Sequence, residues 1–182
     1  MSALQKLRLR KACEAKLATL PLPTPFSIDG LVENISRQRG QRIRLLPFEE
    51  RQDISRACGL RARFGDNVTI ILYRPRPTQS QTEHIILHEI AHEWLQHSTT
   101  LTAGELRQLL PVEQLDQLTR RYGGLTALQA RARYGTKEEK EAELGAYLIE
   151  QRISGRGPDG DQLVDLLGHA LSHPVAPPPT EG

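Results

Sequence analysis

The chain has 182 residues, of which 38% are hydrophobic and 4% aromatic, so we expect one domain with a largely aliphatic core. Lysine plus arginine number 24 and aspartate plus glutamate 22, and this net charge of +2 offers no argument for a nucleic-acid partner. The two cysteines are far apart, and no long apolar stretch or signal-peptide pattern is present. We therefore expect a cytoplasmic chain with free thiols and no membrane span.

The segment 1–26 is predicted to form a basic helix followed by a proline-rich linker. An irregular apolar stripe over residues 3–18 predicts the helix, and three prolines within 20–26 end it. The basic run "KLRLRK" is typical of a solvated helix face, with an anionic partner as the alternative. Ser27 can cap a second helix, which would end at Gly40.

Three short strands are predicted next along the chain. They are "QRIRLLPF", the partly alternating "RACGLRARF" and the β-branched run "VTIILY". The "GDN" triplet at 65–67 indicates a hairpin between the last two. We expect a small, about three-stranded antiparallel sheet. The strand "VTIILY" is our candidate for the edge that accepts an extended peptide.

The second half of the chain is predicted to be mostly helical. One helix runs from about Thr82 to His97, and the leucine-rich residues 98–136 form a helical insert that includes "LTALQARARYG". A strong helix follows in "TKEEKEAELGAYLIEQRI", and "DQLVDLLGHAL" predicts a last one. Residues 27–171 would form one α+β domain, and the proline-rich tail 172–182 is expected to be disordered.

The run "HIILHEIAH" at 84–92 contains the pattern H-E-x-x-H. On a helix His88 and His92 share one face, with Cβ atoms about 5–6 Å apart. Both rings can therefore place a nitrogen about 2.0–2.1 Å from one zinc ion. Glu89 can act as general base on a zinc-bound water without being a ligand. A chance match on an amphipathic helix is the alternative, and the isoleucines that can bury this helix favour the metal site.

Two further histidines flank the motif. Three histidines at successive turns of a straight helix cannot converge on one ion, because the outer pair, His84 and His92, is about 12 Å apart by helix rise. We therefore expect His84 to pack or to support a ligand. His97 is expected to be a charge partner of the helix C-terminus.

A catalytic zinc needs a third protein ligand, which a later helix can supply. The face with Ala142, Ala146 and Ile149 is expected to pack on the motif helix. Glu139 and Glu143 flank this face, whereas Glu141 points away. We take Glu139 as the ligand and Glu143 as a carboxylate hydrogen-bonded to a ligand histidine. Glu143 as the ligand is the main alternative.

The order of these segments resembles that of the ImmA/IrrE-type zinc metallopeptidases, over roughly residues 27–152. The similarity depends on "HEIAH" and "EKEAELGAY". It implies a minimal gluzincin-like fold with one Zn²⁺ and an endopeptidase that cleaves a protein repressor or regulator in the bacterial cytoplasm. The same resemblance implies His88, His92 and Glu139 as zinc ligands and Glu89 as general base.

The chain departs from that family at several positions. The family often has glycine where this chain has Ala91, asparagine and phenylalanine where it has Glu143 and Gly145, and phenylalanine at the position of His84. A second hypothesis is a catalytically silent gluzincin-like module that senses metal or docks a protein partner. The leucine-rich insert and the basic N-terminal helix would be its docking surfaces.

The sequence does not single out a donor for the oxyanion of a peptidase reaction. Tyr134, Tyr147 and His169 are candidates of suitable chemistry. The substrate, its cleavage site and the oligomeric state are left open.

Overall fold

The computed structural model describes residues 2–48, 59–97, 110–130 and 137–155, and for 126–130 it describes the backbone only. Within these ranges the helices are α1 (Ala3–Leu17), α2 (Ile28–Arg39), α3 (Gln79–Trp94), α4 (Val112–Tyr122) and α5 (Lys137–Ser154). The strands are β1 (Arg42–Pro47), β2 (Gly59–Phe64), β3 (Val68–Tyr73) and β4 (Leu125–Ala130). The predicted last helix and the tail 172–182 lie outside the described residues.

Helices α1 and α2 begin and end close to where the sequence predicted, because suitable capping residues stand there. Ser2 accepts a hydrogen bond from the backbone of Gln5 in a capping box, and the Ser27 side chain caps α2 by accepting from the backbone of Gly30. Gly40 ends α2 with a φ of 62°, a left-handed conformation that favours glycine. Thr78 caps α3, so this helix starts three residues before the predicted boundary.

The four strands form one mixed sheet in the order β1-β3-β2-β4. The predicted hairpin is confirmed, since β2 and β3 are antiparallel and Gly65 in their turn has a φ of 52°. The prediction of a purely antiparallel sheet was wrong. Strand β1 pairs with β3 instead of with β2, the next strand in the chain, and runs parallel to it.

Strands β3 and β4 differ from two further expectations. The "VTIILY" strand β3 is central, with hydrogen-bonded neighbours on both sides, and so has no free edge for a peptide. The segment 125–130 is a strand that pairs with β2, although a helix was predicted there. The edge of β2 supplies hydrogen-bond partners for this segment, and such tertiary pairing overrides a local helical pattern.

The sheet separates two hydrophobic clusters. Leu60, Ala62 and Phe64 of β2 point to one side and pack with Leu110 and with Leu118 of α4. The other side of the sheet faces α2 and α3, and the larger cluster there joins those helices to α1 and α5. Strand β2 presents Gly59, Arg61 and Arg63 to α3 on this side, where they contact its glutamates. The sheet thus places polar β2 positions beside the motif helix.

The N-terminal helix α1 belongs to the same core. Its Cys13 and Leu17 are buried, and the indole nitrogen of Trp94 donates to the carbonyl of Lys16 over 3.0 Å. Arg152 of α5 donates to the carbonyl of Leu17. Cys13 is a free thiol, as expected, and burial raises its pKa to about 11. No helix in the described ranges is long and apolar enough to cross a membrane.

Helices α3 and α5 cross closely at Ala91 and Gly145. A Cβ atom on residue 145 would lie 2.8 Å from the Cβ of Ala91, so a larger residue cannot fit without a shift of the two helices. The predicted small-residue face of α5 is confirmed, with Ala142, Ala146 and Ile149 fully buried. This close crossing brings the polar side chains of the two helices within hydrogen-bonding distance.

We expect Gly145→Ala to lower the free energy of unfolding by about 1–3 kcal/mol through overpacking. Adding Ala91→Gly should recover much of the loss, because it removes the methyl group that the new one would meet. Urea unfolding of the two single variants and the double variant measures this coupling. Additive losses in the double variant would contradict a direct clash between the two positions.

Candidate metal centre

His88, His92 and Glu139 form a buried cluster between α3 and α5. The two histidines are one turn apart on α3, and Glu139 stands in the first turn of α5. The Nε2 atoms of the histidines are 3.0 Å apart. The carboxylate oxygens of Glu139 lie 3.3 Å from His92 Nε2 and 3.6 Å from His88 Nε2. Three side chains from two helices therefore bring possible ligand atoms within 4.8 Å of one another.

These distances fit a single small metal ion. Two ligands about 2.0–2.1 Å from a tetrahedral ion are about 3.3–3.4 Å apart. The two Nε2 atoms are 3.0 Å apart, and those of His92 and His88 lie 3.3 and 3.6 Å from the Oε1 and Oε2 atoms of Glu139 respectively, which is close to this value. The donor set of two imidazole nitrogens and a carboxylate oxygen is also one that divalent transition metals accept. The triad could hold a metal ion, and the described part of the chain contains no second cluster of this kind.

The protonation states of Glu139 and His92 at neutral pH also suit metal binding. Burial works to raise the pKa of Glu139, but the neighbouring His88 and His92 outweigh it, and the pKa of this carboxyl lies well below its usual range. Burial lowers the pKa of His92. At neutral pH the cluster therefore presents a carboxylate together with a neutral His92, which is the state that binds a metal.

Glu143 occupies the position expected of a supporting carboxylate. Its Oε2 lies 3.1 Å from His88 Nδ1 and its Oε1 lies 3.2 Å from His84 Nε2. Both oxygens therefore contact ring atoms other than the two Nε2 atoms that lie near Glu139. The geometry thus favours Glu139 over Glu143 as the third ligand. Glu143 instead orients the ring of His88 so that its Nε2 faces Glu139.

His84 bridges two carboxylates. Its Nε2 contacts Glu143, and its Nδ1 lies 2.9 Å from Glu150 Oε1. Burial would lower the pKa of His84, but the hydrogen bonds to Glu143 and Glu150 raise it to about 10. His84 is therefore a cation at neutral pH and supports the carboxylate that orients His88.

The positive charge of His84 should make a pH-dependent contribution to the free energy of unfolding. The pKa of His84 rises from an ordinary 6.5 to about 10 on folding, so its stabilising effect is complete below about pH 6.5. The effect is lost as the pH rises through about 10. We expect the gap in unfolding free energy between wild type and His84→Gln to shrink from pH 6 to pH 10. Urea unfolding with a chelator present tests this, and a gap that stays constant over that range would contradict it.

His97 and Glu141 lie on the other side of the cluster. His97 Nδ1 is 2.9 Å from His92 Nδ1, and His97 Nε2 is 3.1 Å from Glu141 Oε2. The expectation that Glu141 points away was wrong, because it is buried against His97. The expectation of a charged His97 was also wrong, since burial lowers the pKa of this ring. No local pattern in the sequence predicts this contact, which forms only where α3 ends against α5.

Glu89 faces β2 and is buried. Its Oε2 lies 3.7 Å from Arg61 Nε, and Arg61 donates to Glu93 Oε2 over 2.9 Å. A Cβ atom on residue 59 would lie 2.5 Å from Glu89 Oε1, so Gly59 leaves the space that this carboxylate fills. Neither Gly59 nor Arg61 was predicted from the sequence to support the site, because a polar strand face is usually solvent-exposed.

Glu93, one turn after Glu89, anchors Arg61. Burial acts to raise the pKa of Glu93, but Arg61, Gln41 and Arg63 outweigh it and lower this pKa. The Gln41 amide donates to Glu93 Oε1 over 2.8 Å. Since Glu93 is satisfied by several partners, Arg61 is held in a defined position beside Glu89.

One of the three candidate oxyanion donors can be located. The Tyr147 hydroxyl, on α5, accepts a hydrogen bond of 2.9 Å from the Gln151 side chain. Tyr134 and His169 lie outside the described residues.

The cluster is thus built from side chains of two adjacent helices that are distant from each other in the sequence. Its three donor atoms, its supporting carboxylates and the neighbouring Glu89 are all positioned by packing of α3 against α5 and β2. Comparison with family models, curated proteins and solved structures found no match for this chain.

Proposed function

We propose that the chain is a zinc-dependent endopeptidase that hydrolyses a peptide bond in a protein regulator. The observation that carries the proposal is the cluster of His88, His92 and Glu139. Glu89 is close enough for its charge to act on His92. The resemblance of "HEIAH" and "EKEAELGAY" to the ImmA/IrrE-type metallopeptidases supports the same reaction. That resemblance is also the basis for proposing a bacterial repressor or related regulator as the substrate.

Zinc is the metal that best suits this donor set. Two histidines and one glutamate leave a fourth position open, which is typical of catalytic zinc sites. A cluster with no thiolate and only one carboxylate favours neither copper(I) nor magnesium. When bound, zinc supplies Lewis acidity that lowers the pKa of a water molecule to about 7 and polarises a peptide carbonyl.

In the proposed reaction Glu89 takes the proton from the attacking water at a carboxylate oxygen and passes it to the leaving amine nitrogen. Arg61 and Gly59 hold this carboxylate in place from the side of β2. Glu143 keeps the Nε2 atom of His88 directed at the ion. The protein thus orients its base and its ligands before substrate arrives.

The test is Glu89→Gln, which keeps the size of the side chain and removes its basicity. Zinc per chain should equal that of the wild type, while hydrolysis falls by about 10²–10⁴-fold. A proteome-derived peptide library incubated with each protein supplies the readout, as new N-termini counted by mass spectrometry. Wild type with a chelator is the control for metal dependence. New N-termini at the wild-type rate with Glu89→Gln would exclude the proposed mechanism.

The second candidate is a metal-binding module without turnover. The burial of His88, Glu89, His92 and Glu139, all at most 5% exposed, favours it, because a substrate must reach these groups. It predicts that the wild type binds zinc but generates no new N-termini. The same experiment separates the two functions.

A further inference from the structure

We propose that Glu141 and His97 form a relay that holds the proton of His92 on Nδ1 and so keeps Nε2 available as a metal ligand. The proposal rests on the metal centre proposed above and adds two positioning residues to it. It depends on hydrogen-bond geometry between α3, the residues that follow it, and α5.

The direction of each hydrogen bond follows from the chemistry of the groups. An ionised carboxylate only accepts, so Glu141 accepts from Nε2–H of His97 across 3.1 Å. In the neutral ring Nδ1 of His97 is then an acceptor, and His92 donates to it from Nδ1 across 2.9 Å. This leaves a lone pair on His92 Nε2, which is the atom that faces His88 and Glu139. Reversing the middle bond would protonate Nε2 and remove that ligand.

The backbone after α3 is shaped to place His97 there. The Gln96 N–H donates to the carbonyl of Glu93, and the His97 N–H donates to the carbonyl of His92. These two bonds form a Schellman turn, in which the chain folds back at the end of the helix. Gln96 adopts a φ of 59°, although such a turn favours glycine. The turn directs the ring of His97 back onto His92, five residues earlier.

Glu141 is held at the far end of the relay by two lysines. Lys16 of α1 lies 3.7 Å from Oε2, and Lys137 lies 3.5 Å from Oε1. The carboxylate itself is buried. A buried carboxylate with cationic neighbours on its outer side is a stable acceptor for the ring of His97.

The two ligand histidines are thus oriented by different means. The Nδ1 atom of His88 contacts the Glu143 carboxylate directly. The Nδ1 atom of His92 contacts His97, which in turn contacts the Glu141 carboxylate. Loss of His97 should therefore disturb the orientation of the His92 ring, while the contact between His88 and Glu143 is kept.

The experiment is a zinc-affinity measurement on the full chain by competition with a chromophoric chelator. His97→Leu fills the buried space but offers no acceptor, and we expect about 10–100-fold weaker binding. His97→Asn can return an acceptor oxygen near the position of Nδ1, and it should recover most of the loss. Glu141→Gln should weaken binding in the same direction but less, since its amide oxygen still accepts from His97. A merely structural role would not be rescued by asparagine.

Cys13→Ala is the matched control, because Cys13 packs against the backbone of Glu141 and does not touch its carboxylate. It should bind zinc as the wild type does. Cobalt substitution adds a second readout, since the visible spectrum of Co²⁺ reports ligand geometry and should change in His97→Leu but not in Cys13→Ala. Wild-type affinity and spectrum in a folded His97→Leu would overturn the relay alone. Absence of zinc binding by the wild type would overturn the proposed function, and the relay with it.

Discussion

Glu139→Gln should bind zinc well over 100-fold more weakly than the wild type, whereas Glu143→Gln should lose only about 10–100-fold. The difference follows from position, since the two carboxylates are one turn apart on α5. The oxygens of Glu139 lie 3.3 and 3.6 Å from the Nε2 atoms of His92 and His88. Those of Glu143 lie against the Nδ1 atom of His88 and the ring of His84. One substitution removes a ligand, and the other removes the support of a ligand.

The two variants are a matched pair, because each replaces a glutamate of the same helix by a residue of equal size. Zinc content after purification and chelator competition are the measurements, with circular dichroism to establish that α5 is intact. His92→Ala gives the reference for loss of an undisputed candidate ligand. A greater loss in Glu143→Gln than in Glu139→Gln would mean that the third ligand has been identified incorrectly.

Gly59→Ala should reduce peptide hydrolysis by about 10²-fold while zinc stays bound. A methyl group at residue 59 would lie 2.5 Å from Glu89 Oε1 and 2.6 Å from its Cγ, so the carboxylate must move. Glu89 is buried and lies beside Arg61, and a displacement of about 1 Å is enough to cost that much in rate. The Nε2 atoms of His88 and His92 lie against Glu139 of α5, so the geometry of the ligands should be kept.

The count of new N-termini from the peptide library measures the loss, and zinc per chain measures the metal. Gly124→Ala is the control, because a Cβ atom there meets nothing within 4 Å. It should leave both quantities unchanged. Full hydrolysis in Gly59→Ala would show that the observed position of Glu89 is not the one used in the reaction. A loss of zinc would show that β2 also supports the ligands.

The sequence by itself predicted the five described helices, although it also assigned a helix to the strand at 125–130. It also named the three residues that the structure brings into one cluster. Caps such as Ser27 and Gly40 are local signals, because the atoms that satisfy the helix ends lie within a few residues. The i, i+4 spacing of His88 and His92 likewise predicts a shared helix face without reference to the rest of the fold. Helical phase on α5 selected Glu139 and Glu143 together, because both flank the small-residue face that packs on α3. The contacts of Glu143 with His84 and with His88 Nδ1 separate the two.

Tertiary structure alone decided the sheet and the surroundings of the site. The pairing of β1 with β3, and of 125–130 with β2, joins segments distant in the chain, and strand preference depends on such neighbours. Arg61 and Gly59 matter because β2 lies against α3, and Glu141 meets His97 because α5 lies against the end of that helix. The spacing of His88 and His92 is a property of one helix, so the sequence of that helix is enough to predict it. The groups that orient the ligands and the base come from other elements, so only the packing of those elements determines them.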